Sequence, residues 1–143
     1  MIVTAKDLAR TAGFESVARF ANEMHRHSLP FGNGTRVGNT KRYDTVALAK
    51  AVIISRLRAF KVPIAQHKAL MEVIDDAALA SALDQFEAGK CECVIVGIPS
   101  WGELDDYSGV FVTRAAALDA LTEADFILLD VGEATQAHLK GVI

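Results

Sequence analysis

What this chain lacks excludes several classes of protein. Its 143 residues include two cysteines, Cys91 and Cys93, which sit too near each other in an extended segment to staple a fold. Neither a third cysteine nor a nearby histidine completes a ligand set around them, so they are expected to be buried thiols on one strand face. No run of about 18 apolar residues occurs, which excludes a spanning helix. The first residues lack the basic and then apolar layout of a signal peptide, so a cytoplasmic location is expected. A phosphate-binding loop, a dinucleotide fingerprint and a nucleophile elbow are all missing, as is a paired acid and base. On this reading the chain is not an enzyme and needs no cofactor or metal.

Charge is the most informative property present. The net value of −3 hides two unlike halves. Residues 1–74 hold 12 Lys and Arg against 5 Asp and Glu, a balance of +7; residues 75–143 hold 3 against 13, a balance of −10. A basic half joined to an acidic one suggests that only the first meets a polyanion. Hydrophobic residues make up 51% of the chain, enough for a packed core.

The pattern along the chain gives an α+β fold. Thr4 and Asp7 can form a short capping box for a helix over 4–12, stopped by Gly13. Ser16 can cap a second helix from Val17 to about Ser28, with Val17, Phe20, Ala21 and Met24 on its apolar face and Pro30 as its end. Gly32, Asn33, Gly34, Gly38 and Asn39 make the next segment a loop or short hairpin. Asp44 or Thr45 caps a third helix to Phe60, Pro63 opens a fourth, and Asp75 or Asp76 starts a fifth that Gly89 closes. After that, Val94 to Val96, Val110 to Val112 and Phe126 to Leu129 read as strands, with a helix from Arg114 to Leu121 before the last. The acidic loop after Trp101, with Glu103, Asp105 and Asp106, reads as a solvated one.

From Tyr43 onward the order becomes specific. Tyr43-Asp44-Thr45-Val46-Ala47-Leu48 runs without a gap into Ile54, Leu57-Arg58, Val62-Pro63-Ile64 and Leu70-Met71, and Leu8-Ala9-Arg10-Thr11-Ala12-Gly13 precedes them. Over residues 3–74 this resembles the winged helix-turn-helix domain of the MerR type. Lys61 stands where that family has a glycine after the third helix, and His67 where it has an isoleucine. The resemblance implies binding to double-stranded DNA, most simply as a transcriptional regulator. A phage-type architectural protein, an excisionase or a packaging small subunit, is the alternative with the same domain.

The residues agree with that implication. Opposite the expected apolar face of the second helix lie Arg19, Asn22, Glu23 and Arg26. Arginine suits the guanine O6 and N7 acceptors, and asparagine the adenine edge. Ser16 at the helix start, the wing residues Arg36, Lys41 and Arg42, and Arg56 and Arg58 of the third helix complete the expected DNA contacts, the wing and third-helix arginines on phosphates. His25 and His27 are expected at a phosphate or the surface. The domains are therefore residues 1–74, a mostly α winged helix-turn-helix that binds DNA, and residues 75–143, a linking helix plus a small α/β unit. The second unit is expected to make a homodimer, with Leu79, Leu83 and Phe86 at the interface, and to meet an effector or a partner protein.

Overall fold

Thr4 ends a two-residue strand, β1 (Val3–Thr4), and caps α1 (Ala5–Ala12). Its Oγ1 accepts the Asp7 N–H at 3.3 Å, while the Asp7 carboxylate accepts the Thr4 N–H at 2.8 Å. The capping box is formed. Beyond the helix Gly13 takes φ 84°, a region that costs an L side chain about 1–2 kcal/mol. The Gly13 and Phe14 N–H groups then close on the carbonyls of Arg10 and Ala9. Ser16 starts α2 (Val17–His27), its Oγ accepting the Arg19 N–H at 3.1 Å. These contacts come from a computed structural model that describes residues 3–27, 31, 35–38, 40–72, 74–99, 109–121 and 126–141. The expected end of α2 from Ser28 to Pro30, the glycines at 32 and 34, the asparagines at 33 and 39, and the acidic loop around Trp101 lie outside them.

The segment left open as loop or hairpin is a hairpin. β2 (Thr35–Val37) pairs antiparallel with β3 (Thr40–Tyr43), and the Val37–Thr40 pair leaves a two-residue connection that begins with Gly38 at φ 63°. β1 adds to the other edge of β3, giving the order β1-β3-β2. Asp44 then caps α3 (Thr45–Ala59), accepting the Ala47 N–H at 2.9 Å. Leu48, Val52, Ile53, Ile54 and Leu57 of α3 are buried together with three of its alanines and Lys50. A helix apolar on nearly every side has to be surrounded, and α3 packs against α1, α4 (Ile64–Glu72), α5 (Asp76–Glu87) and α7 (Gly132–Leu139).

The C-terminal unit has the expected β-β-α-β order. β4 (Ile95–Pro99) lies between β5 (Gly109–Phe111) and β6 (Phe126–Asp130), all antiparallel, with α6 (Arg114–Ala120) before β6. Side chains alternate along β4 between two buried faces. Val96 and Ile98 enter the main core, whereas Ile95 joins Cys93, Phe111, Leu128 and Ala117 of α6 on the opposite face. The helix α7 is an addition that the sequence reading lacked. It returns to the N-terminal half, where the His138 Nδ1 lies 3.1 Å from the Thr11 hydroxyl of α1.

Two expectations about packing change. Val17 and Ala21 are exposed rather than buried, and α2 is held by Phe20 and partly by Met24. Leu79 and Leu83, expected between two copies, are 0% and 4% exposed within one chain. They belong to a core that runs without interruption from Val3 to Val131. Phe86 is half-buried against the same core, its ring beside Gly132 at the start of α7. The return of α7 and the continuous core account for this correction: the apolar side of α5 is covered from within.

Candidate nucleic-acid interface

The helix α2 is seated by aromatic packing. Phe20 lies edge-on to Phe14 at 5.5 Å between ring centres and to Phe31 at 5.4 Å, and all three are buried. Such offset geometry suits the ring quadrupoles. The Arg58 guanidinium sits 4.2 Å over the Phe14 ring and donates to the Ala12 carbonyl at 3.1 Å. Arg58 thus ties α3 to the turn between α1 and α2, so it acts here as a brace rather than as a free phosphate ligand. Arg56, two residues earlier, is exposed.

Phe20 sets which side of α2 faces out. Glu23, Met24 and His27 flank it and are half-buried, and the His27 Nε2 lies 3.2 Å from a Glu23 carboxylate oxygen. Glu23 therefore turns away from the line expected for it and has a partner within the helix. With 3.6 residues per turn, the outermost line is Ala18, Asn22 and His25. Arg19 and Arg26 form one edge of it, and Val17 and Ala21 the other; all seven are exposed. Ser16 is exposed as well and is occupied by capping. Among the described residues, Arg19 has a loose contact with Glu15, 4.0 Å apart, both well exposed. Exposed pairs of this kind contribute little and yield readily to a stronger partner.

The hairpin adds a second basic element. Arg36 pairs with Lys41 across β2 and β3, Thr35 pairs with Arg42, and the Lys41 and Arg42 side chains are exposed. At the base of this hairpin a cleft of about 470 Å³ opens between Tyr43, Asp44 and Thr45 on one side and Gln136, Leu139 and Lys140 of α7 on the other. Its size is in the range of small-molecule sites.

The turn after α3 is closed by a left-handed residue. Lys61 has φ 63°, the one non-glycine residue with positive φ among the described residues. Its N–H closes on the Arg58 carbonyl at 3.0 Å and the Val62 N–H on the Leu57 carbonyl at 3.0 Å, the paired bonds that end a helix in a left-handed residue. The backbone keeps the glycine conformation although the side chain is lysine. His67, fully buried, has Nε2 3.0 Å from the Val62 carbonyl, so Nε2 carries the proton and donates, and its Nδ1 has no partner among the described residues. Burial is the main cause that pushes its pKa below 6.5, with Arg58 and His27 adding to it and the Val62 bond opposing.

Among the described residues no helix is long and apolar enough to cross a membrane, and no group of three or more metal-ligating side chains gathers. Comparison with protein-family models and with curated proteins finds no match.

Proposed function

We propose that this chain binds double-stranded DNA, with α2 in the major groove and the β2–β3 hairpin on the flanking backbone, and that it acts as a MerR-like transcriptional regulator. The observation that carries the reading is that two basic elements of the N-terminal half, α2 and the β2–β3 hairpin, are both exposed. A four-residue turn sets α2 against α1, Arg19, Asn22 and Arg26 point outward, and Lys41 and Arg42 stand exposed on a hairpin built into the same three-stranded sheet. Arginine and asparagine carry the donor patterns that read guanine and adenine edges. The wing cations suit phosphates, which fix register without reading sequence.

The protein acts as a homodimer in this proposal, because one eleven-residue helix reaches few base pairs and two-fold pairing doubles the site. With Leu79 and Leu83 inside the monomer, the large apolar residues exposed to a second copy among the described residues of the C-terminal unit are Leu118 and Leu121 of the α6 region. An effector would act through the cleft below the hairpin, since Tyr43 and Asp44 join the wing to α3. The test is enrichment of bound duplexes from a random-sequence pool with the full chain. A recurring palindromic sequence supports the reading, and a pool that stays random contradicts it.

A further inference from the structure

The cleft below the hairpin adjoins a smaller one of about 160 Å³, and Val3 and Leu139 line both. Their polar groups are in opposite states. In the smaller cleft Arg10 is paired with Asp7 at 3.2 Å and the Thr11 hydroxyl with His138 at 3.1 Å, and the buried Leu48 adds to the lining. What this part offers a guest is the apolar strip of Val3, Leu48 and Leu139. In the larger cleft, Asp44 already accepts the Ala47 N–H. The side chains of Tyr43, Glu87, Gln136 and Lys140 have no hydrogen-bond or ion-pair partner among the described residues. Glu87 and Lys140 thus carry opposite charges on one cleft without closing on each other.

We infer that the adjoining clefts bind a zwitterion with an apolar tail, an aliphatic α-amino acid, with its head in the larger cleft and its side chain on the Val3–Leu139 strip. Glu87 and the Tyr43 hydroxyl take the ammonium, and Lys140 and the Gln136 amide take the carboxylate. Gln136 and Lys140 are four residues apart on α7 and its C-terminal cap, so they lie on one side of it. A simple anion leaves Glu87 unmatched and a simple cation leaves Lys140 unmatched, whereas a zwitterion matches both. The inference deepens the effector reading above and rests on it for its consequence. A ligand held by Tyr43 at the foot of the hairpin and by Gln136 of α7 ties the wing to the C-terminal unit.

The test is titration of the full chain with L-leucine. Saturable binding is expected, while isocaproate, which lacks the amine, and isopentylamine, which lacks the carboxylate, should bind at least about tenfold more weakly. Glycine, which has the head without the tail, should also lose at least about tenfold. In the exposed-surface variants Glu87→Gln and Lys140→Met, with folding checked by circular dichroism, leucine binding should weaken about three- to tenfold. No binding of leucine, valine or methionine at millimolar concentration, equal binding of either half-ligand, or leucine affinity unchanged in both variants would overturn the inference while leaving DNA binding in place. Affinity for the enriched duplex with and without leucine tests the effector reading separately. Leucine that binds by these criteria without changing it would support the site and overturn its effector role. A pool with no enriched sequence would overturn the DNA reading alone.

Discussion

At the scale of the residue, two side chains are out of character for their positions, and each makes a measurable difference. Lys61 occupies a left-handed backbone conformation that costs an L residue about 1–2 kcal/mol, of which glycine's larger unfolded-state entropy returns about 0.4–1 kcal/mol. Lys61→Gly should therefore raise the unfolding free energy by about 0.5–1 kcal/mol, measured by urea denaturation; a loss of stability would mean that the lysine side chain has a structural role. His67 and His138 both have pKa values lowered by burial, and Arg10 adds to the effect at His138. Both histidines bind protons more readily when unfolded, so their effect on stability is absent at pH well above 6.5 and stability falls as pH drops from about 6.5 toward their folded pKa values. His67→Ile removes one of the two groups and the unpaired Nδ1. Its stability loss between pH 7.5 and pH 5.5 should be smaller than that of the parent chain, and an unchanged loss would place the pH dependence elsewhere. Both residue types were visible in the sequence, but their conformations were not. Nothing in the letter for lysine announces a positive φ, and a histidine in a helix reads equally as surface or core.

At the scale of the element, capping and turn chemistry were legible because they are local. Thr4, Gly13, Ser16, Asp44 and Asp75 all do what their residue types suggest at helix ends. The helix α7 was missed for the converse reason. Val131 precedes it with no side-chain cap, its first residue is Gly132, and its short sequence has no clear apolar stripe. Periodicity likewise misplaced the buried side of α2, since the pattern of apolar residues cannot tell that Phe14 and Phe31, from separate segments, gather around Phe20. The hairpin offers a direct check on the division of labour. Replacing Arg36, Lys41 and Arg42 together by alanine should weaken binding to all duplexes alike. It should also flatten the slope of log K against log salt by up to about 2.7, at about 0.9 per lost phosphate contact. Weakening confined to one sequence would make the wing a base reader.

At the scale of the whole molecule, the charge boundary near residue 74 does not coincide with a boundary in packing. The core runs from Val3 to Val131, His138 reaches Thr11, and the buried Lys50 of α3 has its ammonium 2.8 and 3.0 Å from the two carboxylate oxygens of Asp76 on α5. Charge pattern is a property of the surface and was readable from composition; which surfaces of α3 are covered by distant segments was not. A fragment ending at residue 74 would expose the sides of α3 that α5 and α7 cover. It should lack the cooperative thermal transition of the full chain, and a fragment that melts as the full chain does would show the first half to be an independent domain.

The proposal that α2 reads DNA is tested most directly by the affinity of Arg19→Ala and Arg26→Ala for the enriched duplex against a scrambled one. A bidentate arginine contact contributes about 1–3 kcal/mol of discrimination, or roughly 5- to 150-fold. At least one variant should lose preference for the enriched duplex on that scale while its circular dichroism and its weak affinity for scrambled DNA stay close to those of the parent chain. Full preference retained in both variants would contradict the assignment of α2 as the reading helix.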